Sequence, residues 1–152
     1  MGTTLTASIN HIKLETQVKM TSTDEHLNKI KEHLDEIEDA IKEGIEKKPV
    51  TIGFHCSACI MQFLELYLHA TNKIPIGKII KHDWFKRPKK EQKIERKLPV
   101  QFERKEEIYN LIYSLEDERN TLMYGKATEK QIKNVLDTFN MSRIVFFVNS
   151  LL

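Results

Sequence analysis

Apolar residues in the first half of the chain recur with a helical period. Leu27, Ile30, Leu34, Ile37, Ile41 and Ile45 follow at steps of three and four, which places them on one side of a helix. The stripe predicts a helix over 23–47, with Lys and Glu on the opposite, solvated face. Ser22 and Glu25 have capping-box spacing, so the helix is expected to start there. Lys47, Lys48 and Pro49 would close it, with positive charge where a helix C-terminus favours it. Residues 1–22 are polar and weakly patterned, and are read as a flexible N-terminal arm or a short accessory element. Met20 is an alternative start.

The next segment, 50–72, is apolar on most sides, from Phe54 through Cys56, Cys59, Met61, Leu64 and Leu68. Such a helix belongs at the centre of a bundle or between subunits. Asn72, Pro75 and Gly77 mark its exit. Residues 75–100 form a long basic linker punctuated by Pro88 and Pro99, in which Ile79, Ile80, Trp84 and Phe85 can dock a short helical turn. Residues 102–124 carry a third stripe of Ile108, Leu111, Ile112, Leu115 and Leu122, with Gly125 as the natural stop. Thr128 and Gln131 repeat the capping-box spacing. A fourth helix follows to the end, with Ile132, Val135, Leu136, Phe139, Ile144, Val145, Phe146 and Val148 expected inward. The pattern predicts an all-α, up-and-down bundle of four main helices occupying 23–152.

Composition narrows this reading. With 152 residues the chain is long enough for one cored domain. Five glycines and four prolines are too few for a turn-rich sandwich or barrel. A net charge of +2 gives no strong whole-molecule attraction for nucleic acid, so any such attraction must be local. No uninterrupted apolar run is long enough for a bilayer, and no signal-type segment opens the chain, so a cytoplasmic location is expected. The two cysteines, Cys56 and Cys59, are no disulfide framework. In His55-Cys56-Ser57-Ala58-Cys59 they supply two metal ligands of four, and small buried side chains are the better reading. No metal and no cofactor is expected. His82-Asp83, beside Trp84, is a loop pair with either a plain polar contact or a catalytic role.

The chemistry concentrates in Glu116-Asp117-Glu118-Arg119-Asn120-Thr121-Leu122-Met123-Tyr124-Gly125. Glu116, Asn120 and Tyr124 share a helix face. Arg119 interrupts the stripe between Leu115 and Leu122. A buried guanidinium needs a partner, a dimer cleft or a ligand, and Glu116, one turn back, is the local candidate. The bland alternative is an arginine that only tethers helix ends. In the linker Lys89, Lys90 and Lys93, near Trp84 and Phe85, could track a phosphate backbone and stack a base.

Arg119-Asn120 and a terminal aromatic, Tyr124, with four residues between the arginine and the aromatic, set between the last two long helices, resemble the motif of the HEPN domain (higher eukaryotes and prokaryotes nucleotide-binding). The resemblance covers about residues 24–152. It implies a homodimer whose two motifs meet in a cleft near the third and fourth helices. It also implies RNA or a nucleotide as ligand, and in many members metal-independent ribonuclease activity or pairing with a separately encoded minimal nucleotidyltransferase. Carried over, Arg119 would stabilise phosphate charge and Asn120 would orient it. Tyr124 would stand where the family has histidine. Glu116, Lys126 and the loop lysines would contact substrate. Tyrosine departs from the usual pattern, because its pKa of about 10 makes it a poor base at pH 7. The implied protein is therefore a binder, a weakened ribonuclease or a nucleotidyltransferase partner; a ligand-free helical dimer is the alternative from another class.

Overall fold

The structure, a computed structural model, describes residues 2–86 and 93–150, with side chains from 23–86 and 94–150. Among the described residues the chain forms five α-helices and no strand. They are α1 (Gly2–Glu43), α2 (Pro49–Ala70), the short α3 (Lys93–Lys97), α4 (Lys105–Tyr124) and α5 (Glu129–Ser150). Single 3-10 turns lie at Ile45–Lys47 and His82–Phe85.

The first helix differs from its expected bounds. α1 is one helix of 42 residues, so Ser22 lies in its interior and the box it forms with Glu25 is not a start. Once nucleated, a helix adds residues at little cost, and a few Ser and Thr lower the propensity only by tenths of a kcal/mol each, about too little to stop it. Gly44, at φ 113, ends the helix, because only glycine takes that conformation without strain.

α2 is the hub. It packs against α1, α4 and α5, and α4 packs against α5, whereas α1 and α5 barely meet. Pro49 starts α2 at a position where its missing N–H costs nothing. Ile52, Cys56, Cys59, Ile60, Leu64 and Leu68 are wholly buried along it. α2 is also the one described helix apolar and long enough to cross a membrane, yet half of that stretch is buried inside the bundle. The register of α1 against α2 is antiparallel: His26 meets Gln62 at 2.7 Å, the Cys59 thiol faces the Ile30 carbonyl at 3.9 Å and His33 meets His55 at 2.9 Å.

The chain between α2 and α3 docks through three of the four residues expected. Ile80, Trp84 and Phe85 are buried, whereas Ile79 is exposed, and Phe85 makes edge contacts with Tyr109 and Tyr113 at 5.4 Å each. That placement leaves neither ring open for base stacking: Phe85 is wholly buried, and Trp84 is buried with the Lys78 ammonium 5.6 Å over its ring. The capping box at α5 is formed in full: the Thr128 N–H donates to Gln131 Oε1 at 2.9 Å and the Gln131 N–H to Thr128 Oγ1 at 3.2 Å. Ile144, expected inward on α5, is exposed, as are Met141 and Phe147.

Candidate functional site

α4 brings its motif to the edge of the core obliquely. Leu115 and Leu122 are buried as the stripe requires, and Arg119 between them is half-buried. Glu116, Asn120 and Tyr124 do share a line along the helix, but the line leaves the core as it runs. Glu116 is buried, Asn120 is exposed and Tyr124 is 82% exposed.

Glu116 does not take Arg119 as its partner. One carboxylate oxygen accepts the Ser57 hydroxyl proton from α2, and the other lies 3.3 Å from His82 Nδ1. The Arg119 guanidinium instead reaches the Asn120 side-chain oxygen at 3.5 Å, the outer limit of a hydrogen bond. The difference is one of reach. Glu116 points toward α2 and the 3-10 turn, where the Ser57 hydroxyl needs an acceptor, while Arg119 sits at the rim.

The rim is a cleft of about 330 Å³ between α2, the 79–83 stretch and α4, with Arg119, Lys81, His82, Asp83, Glu65 and Phe54 among its walls. Sites of about 300–1,000 Å³ are the usual size for small ligands. Gly53 allows the close approach that shapes this corner: a Cβ there would lie 3.3 Å from Leu122 Cβ and 3.7 Å from the Arg119 carbonyl oxygen. His82 is half exposed, its side chain 49% accessible, whereas Glu116 behind it is at 4%. A buried carboxylate on Nδ1 fixes the ring and leaves Nε2 for a ligand, the usual device for orienting a working histidine. The carboxylate stands between Ser57 and His82, so Ser57 is not the nucleophile of a serine relay, in which the histidine must touch the hydroxyl.

The remaining sequence candidates scatter. Tyr124 and Lys126 are exposed at the end of α4 and beyond it, and neither lines the cleft. Lys89 and Lys90 lie outside the described residues, and Lys93 is described only as the first residue of α3. The linker's expected part in tracking a phosphate backbone falls largely on the same residues. Cys56 and Cys59 are free, buried thiols; burial pushes Cys59 up to about 12 and Cys56 higher still. No group of three or more metal-binding side chains occurs among the described residues.

Ser57 was the residue sequence reasoning missed, since nothing in its apolar surroundings marks it as a carboxylate's partner. The His82–Glu116 pairing joins a loop to a helix 34 positions away, a contact that no periodicity encodes. Comparisons with protein-family models, curated proteins and solved structures find no match for this chain.

Proposed function

We propose that this chain is a HEPN-like RNA- or nucleotide-binding protein whose ligand phosphate sits beside Arg119. The observation that carries the reading is a shared wall: Arg119 and a histidine held by a buried carboxylate line one cleft. The arginine's planar fork suits phosphate oxygens, and Lys81 adds charge to the same wall. His82 supplies the imidazole that Tyr124 lacks, the side chain that most often serves as general acid and base.

That histidine favours ribonuclease activity as a second reading. His82 would take the proton of a ribose 2′-hydroxyl. The 2′-oxygen would then attack the neighbouring phosphorus, the bond to the 5′-oxygen would break, and that oxygen would leave with a proton from solvent. The products are a 2′,3′-cyclic phosphate and a 5′-hydroxyl, and Arg119 would stabilise the charge gathering on the phosphate oxygens. A homodimer and a nucleotidyltransferase partner belong to the same reading. Exposed Met141, Ile144 and Phe147 on α5 are the surface that supports pairing. Tyr124 and Lys126 would join the cleft only across such a dimer.

The test is RNA and nucleotide binding by Arg119→Ala. Loss of one charge-assisted contact costs about 1.5–3 kcal/mol, or roughly 10- to 100-fold in affinity, with the helical circular dichroism unchanged. Arg119→Lys should recover part of the loss. His82→Asn should bind like the parent and abolish any cleavage. Parental affinity in Arg119→Ala would leave the arginine a structural tether and sink the reading.

A further inference from the structure

The cleft that holds Arg119 and His82 has a second end. Ala58, Met61, Gln62 and Glu65 of α2 line it, together with Ile79 and Ile80. Ile79 is 66% exposed there, an apolar side chain left in water beside other apolar walls. A phosphate alone has no use for such walls. A flat, weakly polar ring does, because its contact removes them from water.

One polar side chain at this end is held in a single orientation. The Gln62 side-chain oxygen lies 2.7 Å from His26 Nδ1. An amide oxygen only accepts, so Nδ1 carries the proton. Glu65 Oε2, 3.6 Å from the same nitrogen, favours a proton there as well. With its oxygen committed to His26 on α1, Gln62 is left with its NH2 group, which has no partner among the described residues. The residue is half-buried and lines the cleft.

A glutamine with both amide atoms free pairs with adenine, accepting from the amino group and donating to a ring nitrogen. In this cleft the accepting half is already used. The remaining donors suit a base that presents a carbonyl oxygen, either uracil or guanine, the latter through O6 and N7. The spacing also suits a nucleotide. Glu116 holds His82 at the level of Ser57, and Gln62 stands about 7.5 Å further along α2 at 1.5 Å per residue. A phosphate beside Arg119 and His82 would place its own base at Gln62.

We infer that Gln62 is the base-reading residue of the cleft and that it selects nucleotides with a keto base, uracil or guanine, over adenine. The inference rests on the phosphate reading of Arg119 and adds the chemistry of the base to it.

The test is binding of short fluorescent oligouridylate and oligoadenylate of equal length to the full chain. The parent should hold the uridylate about three- to tenfold more tightly, the effect of one hydrogen bond. Gln62→Met keeps the size and removes both polar atoms, so it should erase the preference. Gln62→Glu keeps an acceptor for His26 and replaces the donor with a second acceptor, so it should reverse the preference. The readout is a ratio within each variant, so lost stability or added charge that affects both RNAs cancels. Equal binding of the two RNAs by the parent, or a ratio that neither variant changes, overturns the inference, and leaves the phosphate site standing where Arg119→Ala still weakens both RNAs. Parental uridylate affinity in Arg119→Ala would sink the phosphate site and this inference with it.

Discussion

Two buried carboxylates clamp the same stretch of chain to the bundle, one at each end of the Ile80–His82 stretch. Glu65 accepts the Ile80 N–H at 2.8 Å and lies 3.6 Å from His26, whose ring stacks on His69. Glu116 accepts from Ser57 and holds His82. The first histidine is sealed, with 11% of its side chain accessible; the second is open, at 49%. The same chemistry thus gives a structural clamp where the ring is enclosed and a candidate working group where it meets a cleft. Burial alone does not mark a site. The exposed partner of a buried group does.

The comparison can be broken most strongly at the sealed end. Glu65→Ala leaves the Ile80 N–H without its acceptor and removes the carboxylate beside His26. The expected cost is about 2–3 kcal/mol of unfolding free energy by urea titration. A variant as stable as the parent would show that Glu65 clamps nothing.

Glu116→Gln acts at the open end and keeps the shape of the side chain. We expect about 1 kcal/mol of lost stability, and a fall in any RNA cleavage that is larger than the fall in binding. An unchanged rate would detach Glu116 from the function of His82.

Acidification pulls in two directions at the sealed end. Burial, with His26 nearby, holds His69 below its ordinary value of 6.5. Between the depressed value and 6.5 the folded chain binds fewer protons than the unfolded one, so stability is whole above about pH 6.5 and is lost as pH falls through that window. Burial raises Glu65 above its ordinary 4.5, so its contribution is present at lower pH and is lost as pH rises from 4.5 through the raised value. The two oppose one another across the sealed cluster. His69→Gln should flatten the fall in urea midpoint between pH 7 and pH 5, and a parallel curve would assign the acid sensitivity to another group, such as His33, which burial also lowers. The smallest effect is His82→Asn, expected to change stability by less than about 0.5 kcal/mol because the ring is half solvated.

How much of this was legible in the sequence depends on range. The start of α5 was written locally, in Thr128 and Gln131, and the structure uses it as read. The start of α1 was not, because Ser22 and Glu25 carry a genuine cap pattern inside a helix that continues in both directions. The anomaly of Arg119 on an apolar stripe was visible from spacing alone. The identity of Glu116's partners was not, since it depends on how the chain returns after α2 and which of its polar groups lands beside the carboxylate. Trp84 and Phe85 illustrate the same limit: a basic neighbourhood suggested a ligand surface, and tertiary packing claimed both rings for the core.

The buried pair of cysteines on α2 has a practical consequence. They are the only thiols in the chain, and burial holds both protonated at neutral pH. A thiolate reagent can therefore label them only in molecules whose central helix has come away from its neighbours. The unmodified protein carries its own clock for such openings. The labelling rate, followed against reagent concentration, would give how often the hub lets go and how quickly it is recaptured, with no probe added to the surface.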